Sequence, residues 1–176
     1  MQRNALERVT VIFRLFDRDG DGRLEQEDFE SMAGDVVRAA PQSGEQAKIV
    51  MRDAFERYWR TLVAELDTDR DGTISLDEFT ACVLAPERFD DTVSEFAVAL
   101  AALGDPDGDG LIERPVFVSL MSAIGFDDDA IHALFDAFDP SPADEITVST
   151  WVEGIKDFYS PAKVGIPGDE LVSGSV

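Results

Sequence analysis

Residues 67–78 read DTDRDGTISLDE, and this stretch decides the fold. Acidic side chains occupy its first, third, fifth and twelfth positions, and Gly72 occupies the sixth. A hard divalent cation takes six to eight oxygen ligands, and alternate side chains on a tightly wound loop converge on one point. The glycine permits the sharp turn that this winding needs. The pattern therefore predicts a cation site whose ligands are Asp67, Asp69, Asp71, the Thr73 carbonyl, Ser75 and Glu78.

Similar segments recur at three other places, beginning at Asp17, Asp105 and Asp139. Apolar residues keep fixed offsets from each start even where the acidic residues are lost. The eighth position is always aliphatic and the thirteenth always aromatic: Leu24, Ile74, Ile112 and Ile146, then Phe29, Phe79, Phe117 and Trp151. Between the segments the apolar residues have helical spacing. We therefore predict a compact all-α fold of four helix-loop-helix units in two pairs, with short β contacts between paired loops.

Helix boundaries are marked by turn and capping residues. The run from Pro41 to Gly44 breaks the chain between the first two segments, and a helical pattern from Glu45 to Leu66 then leads into the second loop. Ser75 and Glu78 have capping-box spacing, which predicts that the helix leaving this loop starts there.

The first segment, residues 17–28, reads DRDGDGRLEQED and also fits the cation pattern. Its twelfth position is Asp28, one methylene shorter than the glutamate at the end of the second loop. A shorter closing side chain draws the ion towards the exiting helix, which favours smaller cations and predicts Mg²⁺ as a competitor. The predicted ligands are Asp17, Asp19, Asp21, the Arg23 carbonyl, Glu25 and Asp28.

The third segment, residues 105–116, reads DPDGDGLIERPV and ends in Val116, which offers no side-chain oxygen. Either water completes a weaker site, or the segment is a solvated acidic turn. If the loop binds a cation, the predicted ligands are Asp105, Asp107, Asp109, the Leu111 carbonyl and Glu113.

The fourth segment, residues 139–150, reads DPSPADEITVST and lacks most of the ligand pattern. Ala143 replaces a ligand, Asp144 replaces the turn glycine, and Thr150 stands at the twelfth position. We predict that this loop binds no metal and has a structural role, with Ile146 pairing with Ile112.

These motifs are those of EF-hand proteins, and the chain resembles the sarcoplasmic calcium-binding proteins and their calerythrin-like bacterial relatives. The resemblance rests on four units over nearly the whole chain, a long first-to-second interval and Asp28 at the closing position. It implies two packed EF-hand pairs and a role in calcium buffering or signalling. We place the pairs at residues 1–88 and 89–160, followed by a loose or docked tail at residues 161–176.

Composition limits the partners and the compartment. Acidic residues number 37 against 15 basic ones, so the formal net charge of −22 repels duplex DNA and anionic membranes. No apolar run approaches the roughly 18 residues that span a bilayer. Cys82 has no intramolecular disulfide partner, and residues 1–10 lack the apolar run of a secretory signal. We expect a cytoplasmic monomer that binds Ca²⁺.

Two functions fit the sequence, a calcium buffer and a calcium sensor that exposes an apolar groove to an unknown protein target. Adaptable target grooves are rich in methionine, and this chain has only four. The buffer is therefore favoured. We expect no enzymatic activity, because the single histidine, His132, has no nucleophile or orienting group signalled beside it.

Overall fold

Helices make up most of the computed structural model, which describes residues 2–84 and 86–173. They are α1 (Gln2–Phe16), α2 (Gln26–Arg38), α3 (Glu45–Leu66), α4 (Leu76–Leu84), α5 (Asp90–Leu103), α6 (Arg114–Ile124), α7 (Asp128–Ala137), α8 (Val148–Tyr159) and α9 (Glu170–Ser173). This confirms the predicted all-α class. None of the described helices is both long and apolar enough to cross a membrane.

The helices begin where the sequence supplies caps. The Ser75 hydroxyl accepts a hydrogen bond from the N–H of Glu78 at 3.2 Å, and Glu78 Oε2 accepts one from the N–H of Ser75 at 3.0 Å. The predicted capping box is confirmed, and α4 begins at the next residue. Thr147 caps α8 in the same way by accepting a hydrogen bond from the N–H of Thr150 at 3.1 Å.

Two short antiparallel ladders join the loops in pairs, the first with the second and the third with the fourth. Leu24 lies opposite Ile74, and Ile112 lies opposite Ile146, which confirms the predicted pairing. All four side chains are buried, so the ladders fix the loops in pairs against the core. The strands are β1 (Arg23–Leu24), β2 (Ile74–Ser75), β3 (Leu111–Glu113) and β4 (Glu145–Thr147).

One continuous hydrophobic core runs through both loop pairs. Phe55 of α3 meets Phe96 of α5 edge to face, with ring centroids 5.0 Å apart, so the two halves of the chain are in direct contact. The aromatic residues predicted at the thirteenth position of each unit all lie in this core, and burial of each contributes about 1.5–3 kcal/mol to folding. They are Phe29, Phe79, Phe117 and Trp151.

The tail is docked over its described part, residues 161–173. Leu171 is buried, and the tail is held by Arg8 of α1, whose side chain is fully buried. The Arg8 guanidinium donates four hydrogen bonds of 2.9–3.1 Å. Its acceptors are the carbonyls of Phe158, Ser160 and Lys163 and the carboxylate of Asp169. Four acceptors offset the cost of burying this cation.

Candidate metal centre

The second loop gathers its first three acidic residues at one point. Oxygen atoms of Asp67, Asp69 and Asp71 all lie within 4.8 Å of one another. Asp67 accepts hydrogen bonds from the N–H groups of Asp71 and Gly72, both at 3.1 Å, which hold its carboxylate over the turn. Gly72 has a φ of +81°, a conformation that side chains with a Cβ rarely adopt.

Glu78 closes the second loop from the start of α4. Its Oε1 accepts hydrogen bonds from the N–H and hydroxyl of Thr68, both at 2.9 Å, and its Oε2 accepts them from the N–H and hydroxyl of Ser75. Burial alone would raise the pKa of Glu78, but the donors on Ser75 and Thr68 outweigh it and hold the pKa below its usual value. The carboxylate is therefore ionised and fixed in position.

The first loop forms two groups of carboxylates that share Asp19. One group contains Asp17, Asp19 and Asp28, and the other contains Asp19, Asp21 and Glu25. In each group the carboxylate oxygens lie within 4.8 Å of one another. The pKa of Glu25 is raised, first by burial and then by repulsion from Asp21. A divalent cation would relieve this repulsion.

Asp28 occupies the closing position of the first loop and is 5% exposed. Its Oδ2 accepts a hydrogen bond from the N–H of Glu25 at 2.9 Å, and its Oδ1 accepts one from the N–H of Arg18 at 3.1 Å. Burial nevertheless raises the pKa of Asp28, and repulsion from Asp19 and Asp17 adds to the effect. The sequence did not indicate that this carboxylate would be so deeply placed.

The third loop has the same winding as the first two. Asp105, Asp107 and Asp109 bring oxygens within 4.8 Å of one another, and Asp105 accepts hydrogen bonds from the N–H groups of Asp109 and Gly110. The pKa of Asp105 is raised, chiefly by burial. Val116 is half-buried at the closing position, where the other two loops have a carboxylate. The carboxylates thus surround a point that is open on one side.

The remaining predicted ligands lie on or beside the ladders. Arg23 begins β1, Thr73 immediately precedes β2 and Ser75 ends it, whereas Leu111 begins β3 and Glu113 ends it. Each loop therefore combines anionic and neutral oxygens, the donor set that suits a hard cation such as Ca²⁺. The structure thus groups three carboxylates in each of the second and third loops and forms two such groups in the first, an arrangement that could hold a metal ion.

The fourth loop keeps the turn without the glycine. Asp144 stands at the sixth position with a φ of +64°, and its carboxylate accepts hydrogen bonds from Nε of Arg114, which follows the third loop strand. These hydrogen bonds from the Arg114 side chain lower the pKa of Asp144. The charge of Asp144 is therefore neutralised by a guanidinium.

The side chain of Arg23 was missed at the sequence level, where only its carbonyl was expected to contribute. Nη1 of Arg23 lies 2.7 Å from Oδ2 of Asp71 and donates to Thr73 Oγ1 at 3.3 Å, so the first loop contacts the second. The only available signal was the pairing of the two loops, which places Arg23 opposite Ser75 and so brings its side chain to the neighbouring loop.

Comparisons with known proteins agree with this geometry. Residues 6–84 match the family model of the EF-hand domain pair. Calerythrin from Saccharopolyspora erythraea is 22% identical over 162 residues, which cover 88% of this chain and 92% of calerythrin.

Two solved structures share the fold. A Streptomyces coelicolor calcium-binding protein aligns with a TM-score of 0.74 and 22% identity, over 89% of this chain and 98% of that one. An amphioxus sarcoplasmic calcium-binding protein aligns with a TM-score of 0.68 and 17% identity, over 98% and 97% of the two chains.

The chain therefore contains an EF-hand domain pair over residues 6–84, and its acidic loops have the geometry found in the class of calcium-binding EF-hand proteins. Within that class it is similar to calerythrin and to the sarcoplasmic calcium-binding proteins, which confirms the resemblance read from the motifs.

Proposed function

We propose that this chain is an intracellular calcium buffer or signal modulator that binds calcium in two to three EF-hand loops. The observation that carries the proposal is the closed core. Three of the four methionines, the adaptable residues of target grooves, are buried there: Met32, Met51 and Met121. Within the described residues the structure therefore presents no methionine surface, and a buffer of this kind would change shape little when the loops fill.

The first two loops are the proposed high-affinity sites, because each supplies a closing carboxylate. Asp17, Asp19, Asp21, Glu25 and Asp28 would hold one ion with the Arg23 carbonyl. The second ion would be held by Asp67, Asp69, Asp71, the Thr73 carbonyl, Ser75 and Glu78. When bound, the cation neutralises carboxylates that otherwise repel one another.

The third loop is the proposed weaker site, with Asp105, Asp107, Asp109, the Leu111 carbonyl and Glu113 as ligands.

The first loop is where Mg²⁺ competes, because the side chain of Asp28 is shorter than that of Glu78. Competition is tested by calcium titration with and without millimolar magnesium. Asp28→Glu lengthens the closing side chain and should reduce the effect of magnesium, whereas Glu27→Asp beside it should not.

A calcium sensor is the second candidate function. The Streptomyces coelicolor protein of the same fold is described in terms of prokaryotic calcium-mediated regulation. On this chain Ile49 and Val50 of α3 are 48% and 43% exposed, so a small apolar surface is present on one helix. A sensor would enlarge such a surface when calcium binds and would then hold a partner protein.

Hydrophobic-dye fluorescence with and without calcium separates the two functions. A buffer gives little change, and a large calcium-induced increase would establish the sensor instead. Titration calorimetry on the same samples counts the filled loops, with two or three expected. Light scattering in calcium and in chelator tests whether the protein is a monomer, as proposed. Imaging of a tagged chain in cells tests the proposed cytoplasmic location.

A further inference from the structure

The third loop opens into a cavity of about 300 Å³. Its wall includes five of the six positions at which an EF-hand loop places its ligands, together with a glutamine from a distant part of the chain. They are Asp107, Asp109, Leu111, Glu113 and Val116, with Gln42 from the turn between α2 and α3. The cavity is therefore the mouth of the cation site, and Gln42 forms part of its wall from outside the loop.

The turn that carries Gln42 is tightly built. The N–H of Ser43 donates to the carbonyl of Ala40 at 3.1 Å, which places Pro41 and Gln42 at the two central positions of a β-turn. Proline at the first central position fixes its own φ and stiffens the turn. Gln42 thus lies on a short, rigid turn.

Two hydrogen bonds hold this corner against the helices on either side of the third loop. The Ser43 hydroxyl is buried and donates to the carbonyl of Leu103, two residues before the loop, at 2.7 Å. The Ser119 hydroxyl of α6 donates to the carbonyl of Ala39 at 2.9 Å. The position of Gln42 is therefore fixed relative to the helices that enter and leave the loop.

We propose that the side-chain amide oxygen of Gln42 completes the calcium site of the third loop in place of the missing carboxylate at Val116. Glutamine carbonyl oxygens are accepted ligands of Ca²⁺, and a neutral ligand adds no repulsion to Asp105, Asp107 and Asp109. The inference rests on the proposed filling of this loop. In this arrangement, the ligands of the third site come from two distant parts of the chain, the third loop and the turn that carries Gln42.

Calcium titration calorimetry on the full chain tests this proposal. Gln42→Ala should weaken the lowest-affinity site about tenfold, and Gln42→Glu should strengthen it by a similar factor, with the other two sites unchanged. Gln46→Glu adds the same charge to the same exposed surface and should change affinity less than about twofold. Equal melting temperatures in chelator would show that the variants fold alike.

A companion variant, Asp105→Asn, separates failure of this inference from failure of the proposed function. If Asp105→Asn removes the weak site but Gln42→Ala leaves it intact, water closes the site and the role of Gln42 is overturned. If Asp105→Asn leaves the number of bound ions unchanged, the third loop binds no calcium, and both the filling of this loop and the role of Gln42 fail. Removal of the weak site by Asp105→Asn, together with its weakening by Gln42→Ala, supports both statements.

Discussion

Nε of Arg114 donates hydrogen bonds to both carboxylate oxygens of Asp144, at 2.8 and 3.0 Å. The guanidinium also stacks on the ring of Phe135, 4.4 Å from its centroid, and forms an ion pair with Asp136. Arg114 follows the strand of the third loop and Asp144 lies within the fourth. A fixed side-chain cation therefore joins the two loops of the C-terminal pair.

This ion pair predicts a pH dependence of stability in chelator. The Arg114 side chain holds the pKa of Asp144 below its usual value. The ionised Asp144 carboxylate therefore stabilises the fold fully above the unfolded-state pKa of about 4. This stabilisation is lost as the pH falls through the lower folded-state pKa of Asp144. Asp144→Asn should therefore lower the melting temperature at pH 7, with the difference from the parent protein shrinking below about pH 4.

Melting curves from pH 7 to pH 3 measure this difference. Glu153→Gln removes a charge from an exposed position on α8 and serves as the control, with little expected change. A gap between Asp144→Asn and the parent protein that stays constant with pH would contradict the assignment.

Calcium should raise the melting temperature of the protein. Ions that bind only the folded state stabilise it, and one site contributes about 2.7 kcal/mol at a hundredfold excess over its dissociation constant. Repulsion among the loop carboxylates is relieved at the same time. Differential scanning calorimetry with calcium and then excess chelator checks the shift and its reversal; identical curves would overturn the proposed sites.

Glu78→Gln should weaken the second site by about tenfold or more, because the neutral amide keeps the size of the side chain but removes a charged ligand. Asp77→Asn makes the same charge change one residue earlier at an exposed position and should have little effect. Titration calorimetry distinguishes them. Equal affinities for the two variants would show that Glu78 does not close the loop.

Val116→Glu should strengthen the third site, because it adds the carboxylate that the closing position lacks. The control is the same substitution combined with Asp105→Asn, which should cancel the gain if the new carboxylate acts on the ion in this loop. Titration of both proteins measures the effect. A gain that survives in the double variant would place its cause outside the loop.

Arg8→Ala should destabilise the fold by about 3 kcal/mol, because it leaves buried carbonyls and the Asp169 carboxylate without their donor. The released tail should also be cut faster by trypsin after Lys163. Arg14→Ala on the exposed face of the same helix is the matched control. Denaturant unfolding measures the loss of stability, and timed proteolysis measures the release of the tail. Equal cleavage rates for the two variants would show that Arg8 does not hold the tail in place.

The sequence was sufficient for the features that depend on local spacing. The turn glycines, the closing carboxylates and the pairing of Ile112 with Ile146 repeat at fixed offsets, so each copy of the motif supported the others. The helix Glu45–Leu66 could also be predicted from the sequence, because a turn precedes it and the second loop follows it.

Contacts between distant side chains could not be predicted in the same way. Arg8 stands in an amphipathic helix pattern in which a charged residue ordinarily faces solvent, and its acceptors lie at least 150 residues away. The Arg23 side chain and Gln42 likewise acquire their neighbours only when helices and loops have been placed relative to one another. No spacing rule relates such residues.

The Arg8 contacts also bear on how the chain folds during synthesis. Helix α1 leaves the ribosome early, yet the acceptors of its buried guanidinium lie between Phe158 and Asp169 and emerge late. Until then the α1 surface around Arg8 stays hydrated and unpacked. The first helix therefore docks fully only after the segment from Phe158 to Asp169 has been synthesised, and a stalled nascent chain that lacks this segment leaves the helix incompletely docked.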